Sequence, residues 1–89
     1  MDTQFLESFI LVVEHGSVAE AARRLNLTSA AVTQRLRALE REIGAALVSR
    51  SGQTVRPTAA GAAMLPQAQA LLRNVRDLRT IASETNFAG

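Results

Sequence analysis

SVAEAARRLNLTSAAVTQRLRALEREIG, residues 17–44, is the stretch that decides the fold. It predicts two helices joined by a turn too short for anything except a tight, angled pair. Ser17 starts the first of them, and its spacing to Glu20 is that of a capping box, in which each side chain takes an orphan amide of the first turn. Val18, Ala21, Ala22 and Leu25 make its inner face, where the small Ala21 and Ala22 let the next helix cross close by. Asn26 tolerates a left-handed turn conformation, and Leu27 plugs the corner. Thr28 or Ser29 caps the second helix. Its Val32, Leu36, Leu39 and Ile43 fall at steps of four, three and four and share one face. Ala30, Thr33, Gln34, Arg37 and Arg41 lie largely away from that face, and Gly44 stops the helix. A greasy stripe on one side and a small, polar, Arg-bearing surface on the other is the layout of a helix-turn-helix whose second helix enters a DNA major groove.

Working outward, residues 3–15 predict an earlier helix. Phe5, Phe9, Val12 and Val13 repeat at helical spacing, Leu6 and Ile10 widen the stripe, and His15-Gly16 ends it. Downstream, residues 47–56 read LVSR-SG-QTVR. Two short β-prone runs around a Ser51-Gly52 turn predict a hairpin. A hairpin directly after a recognition helix is a wing, whose tip reaches flanking backbone or minor groove. Pro57 closes the hairpin because it cannot donate to a ladder. Thr58 caps a last helix, on which Gly61, Met64, Ala68, Leu71, Val75, Leu78 and Ala82 alternate steps of three and four. So long a heptad-like seam exceeds what a small domain covers alone, and it predicts a partner helix from a second copy of the chain. Pro66 is expected to kink this helix or to cost it a hydrogen bond, and residues 83–89 are expected to fray. The expected division is residues 1–58 as a winged helix-turn-helix and residues 59–89 as a linker and dimerisation helix with its frayed end. The fold class is mainly α: a three-helix core, a two-stranded wing and one long helix.

Composition narrows the possible functions. Of 89 residues, 47% are hydrophobic but only 3% aromatic, and Ala leads the hydrophobic set, which favours helices. No apolar run approaches a membrane span, and Asp2 and Glu7 at the start argue against a secretory signal. The absence of Cys removes disulfides and Cys-ligated zinc, and with them zinc fingers as DNA readers; it also fits a cytoplasmic location. Charge is graded along the chain. Residues 1–19 hold Asp2, Glu7 and Glu14 with no Arg, whereas residues 20–60 hold seven Arg against Glu20, Glu40 and Glu42. All the basic side chains are Arg, which forks onto phosphates and guanine edges.

With these residues placed, the chain resembles the DNA-binding domain of LysR-type transcriptional regulators from about residue 3 to about residue 80. The resemblance rests on several pieces together: Gly16-Ser17 ending the first helix, then Ala21-Ala22 with Leu25, the capped helix with Thr33 and Gln34, Leu39-Glu40 with Gly44, Leu47 with Arg50, and Thr58 with Gly61. Three positions depart from the family pattern. Ser29 stands where a base-reading Gln is frequent, Val48 replaces a usual Phe under the wing, and Pro57 replaces a usual Leu. The resemblance implies a linker helix that pairs antiparallel into a dimer, and higher oligomers in a full-length protein. It also implies a C-terminal co-inducer domain beyond this chain, so the expectation is that the chain itself takes no cofactor and is an excised domain.

Under this reading, Ser29, Ala30, Thr33, Gln34 and Arg37 are the candidates for reading base edges. Gln34 is suited to adenine and Ala30 to a thymine methyl. Thr28, Arg50 and Thr58 are candidate phosphate anchors, and Gln53, Thr54 and Arg56 are wing candidates. Met64, Ala68, Leu71, Val75, Leu78 and Ala82 are the expected dimer interface. Arg23 and Arg24 read equally well as phosphate contacts or as solvated surface. Arg73 has Asp77 at the i+4 position, which reads as surface pairing. The partners expected are double-stranded DNA and a second copy of the chain, with no membrane. The rival reading is a helical protein-interaction module, but that would place large apolar residues on the outward face of residues 29–41, where this chain has Ala, Thr, Gln and Arg. An enzyme is not expected: the single His15 sits at a helix end without a base-and-nucleophile set, and Glu40 and Glu42, two apart, do not face each other.

Overall fold

The computed structural model describes residues 1–86. Its order is α1 (Thr3–His15), α2 (Val18–Leu25), α3 (Ser29–Ile43), β1 (Val48–Ser51), β2 (Thr54–Pro57) and α4 (Ala59–Asn86). The boundaries are set by local chemistry. Asp2 accepts from the Gln4 amide at 2.8 Å to open α1, and Gly16 closes it in the left-handed region at φ 63°. Ser17 Oγ accepts from the Glu20 amide at 3.1 Å to open α2. Asn26 ends that helix at φ 60° and ψ 42°, a conformation its short polar side chain tolerates. Thr28, the first of the two expected caps, opens α3 by accepting from the Ala31 amide at 3.1 Å, and Gly44 ends it at φ 86°.

The three helices close over Phe9, Val12, Val32, Leu39 and Leu47, all fully buried. Each such side chain contributes roughly 1.5–3 kcal/mol on leaving water. Ala21 and Ala22 are buried where α2 meets its neighbours, as their size foretold. Ile43 shares the helical phase of the α3 core stripe but lies at its last turn, where 38% of it remains exposed; the core ends one turn short of the helix.

The strands pair antiparallel, with Val48↔Pro57, Ser49↔Arg56, Arg50↔Val55 and Ser51↔Thr54. The turn is therefore Gly52-Gln53 rather than the expected Ser51-Gly52. Gly52 takes a positive φ of 63° at the first turn position, which glycine accepts without cost. The one-residue shift matters because it puts Val55 on the buried face, and a slip would carry it to solvent. The wing is fixed to the helices at several points. The Val55 amide donates to Gly16 O at 3.1 Å, and the Glu40 carboxylate accepts from the Leu47 amide at 2.7 Å.

Thr58 joins the wing to α4. Its hydroxyl donates to Ala46 O at 2.6 Å and accepts from the Gly61 amide at 3.1 Å, while its own amide donates to Leu47 O at 3.0 Å. Gly61 sits directly on the Leu47 carbonyl, and a Cβ there would overlap its oxygen. This close approach is the physical reason for the Thr-x-x-Gly pattern.

The long helix divides its apolar residues differently from the expected single seam. Gly61, Ala68 and Leu72 are buried, and Met64, Leu65 and Val75 are partly buried. Leu72, absent from the expected seam, is 8% exposed, whereas Leu71, Leu78 and Ile81 are 43%, 66% and 57% exposed. The first half of α4 thus packs within the chain, α1 and α4 being linked also by Gln69 to Glu14 at 3.2 Å and Arg76 to Glu7 at 3.7 Å. Among the described residues the ion pair on this helix is made by Arg76, not by Arg73. The helix runs unbroken through Pro66, which lacks the N–H for its bond to the preceding turn. It also continues through Asn86, so residues 83–86 are helical rather than frayed; residues 87–89 lie outside the described residues.

Candidate nucleic-acid interface

The exposed side of α3 is set by rotation about its axis. With Val32, Leu36 and Leu39 inward, Ala30, Gln34, Arg37 and Arg41 point away from the core and are exposed. Ser29 is exposed at the first turn, and Thr33 is half-buried toward the wing. The sequence-predicted readers therefore form one continuous surface, made of small residues in the first turn and long ones in the second and third. Among the described residues, Arg37 and Arg41 have no carboxylate partner within ion-pair distance. An unpaired guanidinium on an exposed helix face is free to fork onto phosphate or guanine.

A groove of about 240 Å³ runs between α3 and the wing, with Thr33 and Arg37 on one wall and Ser49 and Arg50 on the other. Arg50 pairs across the ladder with Val55, so the two side chains share a face of the hairpin. Val55 anchors that face in the core while Arg50 remains exposed at its edge. Arg56 pairs with Ser49 and belongs to the opposite face, Gln53 stands at the turn, and Thr54 pairs with Ser51 beside it. The wing candidates are all exposed, but they do not converge on one point.

The two threonine anchors differ. Thr28 Oγ1 is an acceptor for the Ala31 amide, which leaves its hydroxyl hydrogen available to a phosphate. Thr58 directs its hydroxyl hydrogen to Ala46 O, so it has no donor left for a phosphate, and its place is behind the wing at the start of α4. Its role in this structure is structural.

Two arginines left open by the sequence are accounted for. Arg23 and Arg24 both reach Glu20, at 2.6 Å and 3.0 Å. Hydrogen bonding from Arg23 first, and then the charges of both arginines, holds the Glu20 carboxyl at about 2 against an ordinary 4.5. Glu20 therefore does not turn back to the Ser17 amide, which donates to Val12 O instead at 3.3 Å. The capping box is half made: the Ser17 side is present, and the acid is taken by charge.

Glu40 was not among the predicted site residues. It sits near the C-terminus of α3, where a carboxylate is disfavoured by the helix dipole. It is held there by the amides of Leu47 and Val48, at 2.7 Å and 3.4 Å, and so fixes the wing against the recognition helix. The sequence signals were its place in the Leu39-Glu40 and Gly44 pattern and its misplaced charge, neither of which names its partners.

Comparison with known proteins agrees with this geometry. The family described as bacterial regulatory helix-turn-helix protein, lysR family, matches residues 3–62. The chain belongs to the LysR family. It is 43% identical over 97% of its length to an uncharacterized HTH-type transcriptional regulator in the ibpB-leuC intergenic region of Azotobacter vinelandii, of which it spans 60%. The DNA-binding domain of CbnR, solved in complex with DNA, superposes with a TM-score of 0.86 at 33% identity, covering 96% of this chain and 98% of that one. DarR of Vibrio fischeri, also solved with DNA, gives a TM-score of 0.92 at 26% identity over all of this chain and 30% of its own. This LysR-family chain is a winged helix-turn-helix DNA-binding domain. It spans less than two thirds of the Azotobacter relative and of DarR. Among its described residues no helix is long and apolar enough to cross a membrane.

Proposed function

We propose that this domain binds double-stranded DNA sequence-specifically as a homodimer, with α3 of each protomer in the major groove of one half of an interrupted palindrome and the wing on the flanking backbone. The observation that carries this reading is the outward face of α3, where Ala30, Gln34 and Arg37 stand exposed opposite a buried Val32, Leu36 and Leu39. The small first turn lets the helix approach closely, and the amide and guanidinium beyond it suit adenine and guanine edges. Arg50, at the rim of the wing groove, and the free hydroxyl of Thr28 are the phosphate anchors of this reading. The dimer rests on Leu71, Leu78 and Ile81, large apolar side chains left exposed on α4. A cytoplasmic location and co-inducer control through a further domain belong to the same reading, by analogy with the longer family members.

Binding titrations at several salt concentrations, on a duplex selected from a random pool and its single-base variants, test it. Gln34→Ala should flatten the preference at one base position of each half-site, a discrimination of about 1–3 kcal/mol, and leave the salt dependence nearly unchanged. Arg50→Ala should weaken all duplexes alike and lower the log–log salt slope by about 0.9 for each phosphate it no longer neutralises. Equal binding by the parent domain to selected and random duplexes would refute sequence-specific recognition.

A further inference from the structure

A second trough flanks the recognition helix on the side away from the wing. Its floor is Ala31 and Ala38 of α3 with Phe5 of α1, and its walls carry Gln34, Arg35 and Arg41. It is larger than the wing groove, about 550 Å³ against 240 Å³, and Arg37 borders both. Arg35 is held in it by an aromatic face: its Cζ lies 5.6 Å from the centroid of the Phe5 ring. Among the described residues neither Arg35 nor Arg41 pairs with a carboxylate, and no carboxylate lines the trough. The wing groove, by contrast, includes Glu40.

These features specify an occupant. Small floor residues admit a close chain, two unpaired guanidinium groups require anionic charge, and a ring under one of them restricts its motion before anything binds. A helix lying in a major groove is walled by two sugar-phosphate backbones, one on each side. The wing side of α3, with Thr33 and Arg50, meets one of them. We infer that Arg35, oriented by Phe5, and Arg41 bind phosphates of the other strand, so that the recognition helix is clamped between the two backbones of the same groove. This rests on the DNA-binding reading above and adds to it a contact on α3 outside the base-reading set. Cation–π contact leaves the N–H edges of the guanidinium free to donate, so the same side chain can lie on the ring and fork onto a phosphate.

The test uses the 89-residue chain, a duplex selected from a random pool and a random-sequence duplex of the same length. Arg35→Gln shortens the side chain only modestly and removes the charge. It should weaken binding to both duplexes and lower the log–log salt slope by about 0.9 for each protomer bound, while Arg35→Lys should keep the slope. Phosphate-ethylation interference then identifies the strand. Arg35→Gln should lose sensitivity on the α1-side strand alone, and Arg50→Ala on the wing-side strand alone. An Arg35→Gln protein with the parental slope and ethylation pattern overturns the clamp while leaving DNA binding by the parent intact. A parent showing no salt-dependent binding to either duplex overturns the clamp together with the reading beneath it.

Discussion

The carboxylate of Glu40, on the recognition helix, accepts a hydrogen bond from the backbone amide of Leu47 at 2.7 Å, across the loop that leads into the wing. Leu47 itself is fully buried, so the amide has no water to turn to. Removing the acceptor leaves a buried donor unsatisfied, and bonds to charged groups are worth about 1.5–3 kcal/mol. Glu40→Ala should therefore lower stability by that order in urea unfolding. Glu40→Gln, whose amide oxygen still accepts, should recover part of it. Equal stability of the alanine variant and the parent would remove Glu40 from this role.

Gly61→Ala is expected to be disproportionately costly for a helix position. The added Cβ would lie 3.0 Å from the Leu47 carbonyl carbon and overlap its oxygen, and backbone on both sides leaves nothing flexible to yield. A destabilisation of about 1–3 kcal/mol follows from overpacking of this kind. Ala60→Gly, one residue away on an exposed surface, should cost only about 0.5–1 kcal/mol through backbone entropy. Chemical denaturation of the two variants checks the order, and a Gly61→Ala protein as stable as the parent would contradict the close approach.

Leu71 and Leu72 are neighbours with different surroundings, which separates folding from assembly. Leu71→Glu puts a charge on an exposed residue and should leave the melting curve of the monomer nearly unchanged while sedimentation shifts from dimer to monomer. Leu72→Glu buries the charge against α1 and should unfold or strongly destabilise the chain. A parent that sediments as a monomer at high micromolar concentration would show that the exposed stripe on α4 has another use.

The ion pairs of Glu20 give a pH signature. Its folded-state value is depressed to about 2 from 4.5, so its contribution to stability is complete above about pH 4.5 and is lost as pH falls through that interval toward 2. Glu20→Gln should lack this component. The melting-temperature gap between parent and variant should therefore narrow on acidification, and a gap that stays constant across the interval would disprove the pairing. The effect is small because the arginines are exposed and water screens them.

What the sequence made legible was local. The ends of the first three helices were written in Gly16, Ser17, Asn26, Thr28 and Gly44, whose backbone preferences act within a turn. The buried stripe of α3 followed from spacing alone, except at Ile43, where the core runs out before the period does. The hairpin turn was misplaced by one residue because Ser51-Gly52 and Gly52-Gln53 are equally good turns. The choice falls to Val55, whose burial is a tertiary fact. Glu20 went to its arginines rather than to Ser17 because an ion pair with two cations outweighs one neutral amide. On α4, periodicity revealed an apolar helix but not which stripe α1 would take. Two stripes overlap there, one ending in Leu72 and the other running through Leu71, Leu78 and Ile81. Among the candidate site residues, those on α3 fell where the period put them. Thr58 and Glu40 did not yield to the same reasoning, because their partners Ala46 and Leu47 lie across loops.

The joint at Leu47 makes α4 a lever. Its amide is tied to α3 through Glu40, its carbonyl to the head of α4 through Thr58, and Gly61 rests on the same peptide group. A helix of 28 residues extends about 42 Å at 1.5 Å per residue. A tilt of about 10° at its base would sweep the far end through about 7 Å, roughly two base-pair steps of a duplex. The base of the lever is joined to the reading helix through that one residue, so the position of the far end and the orientation of α3 are coupled through Leu47. In the dimer proposed above, whatever grips the far ends of the two long helices would set the distance between the two reading helices, and so the spacing of the half-sites they span.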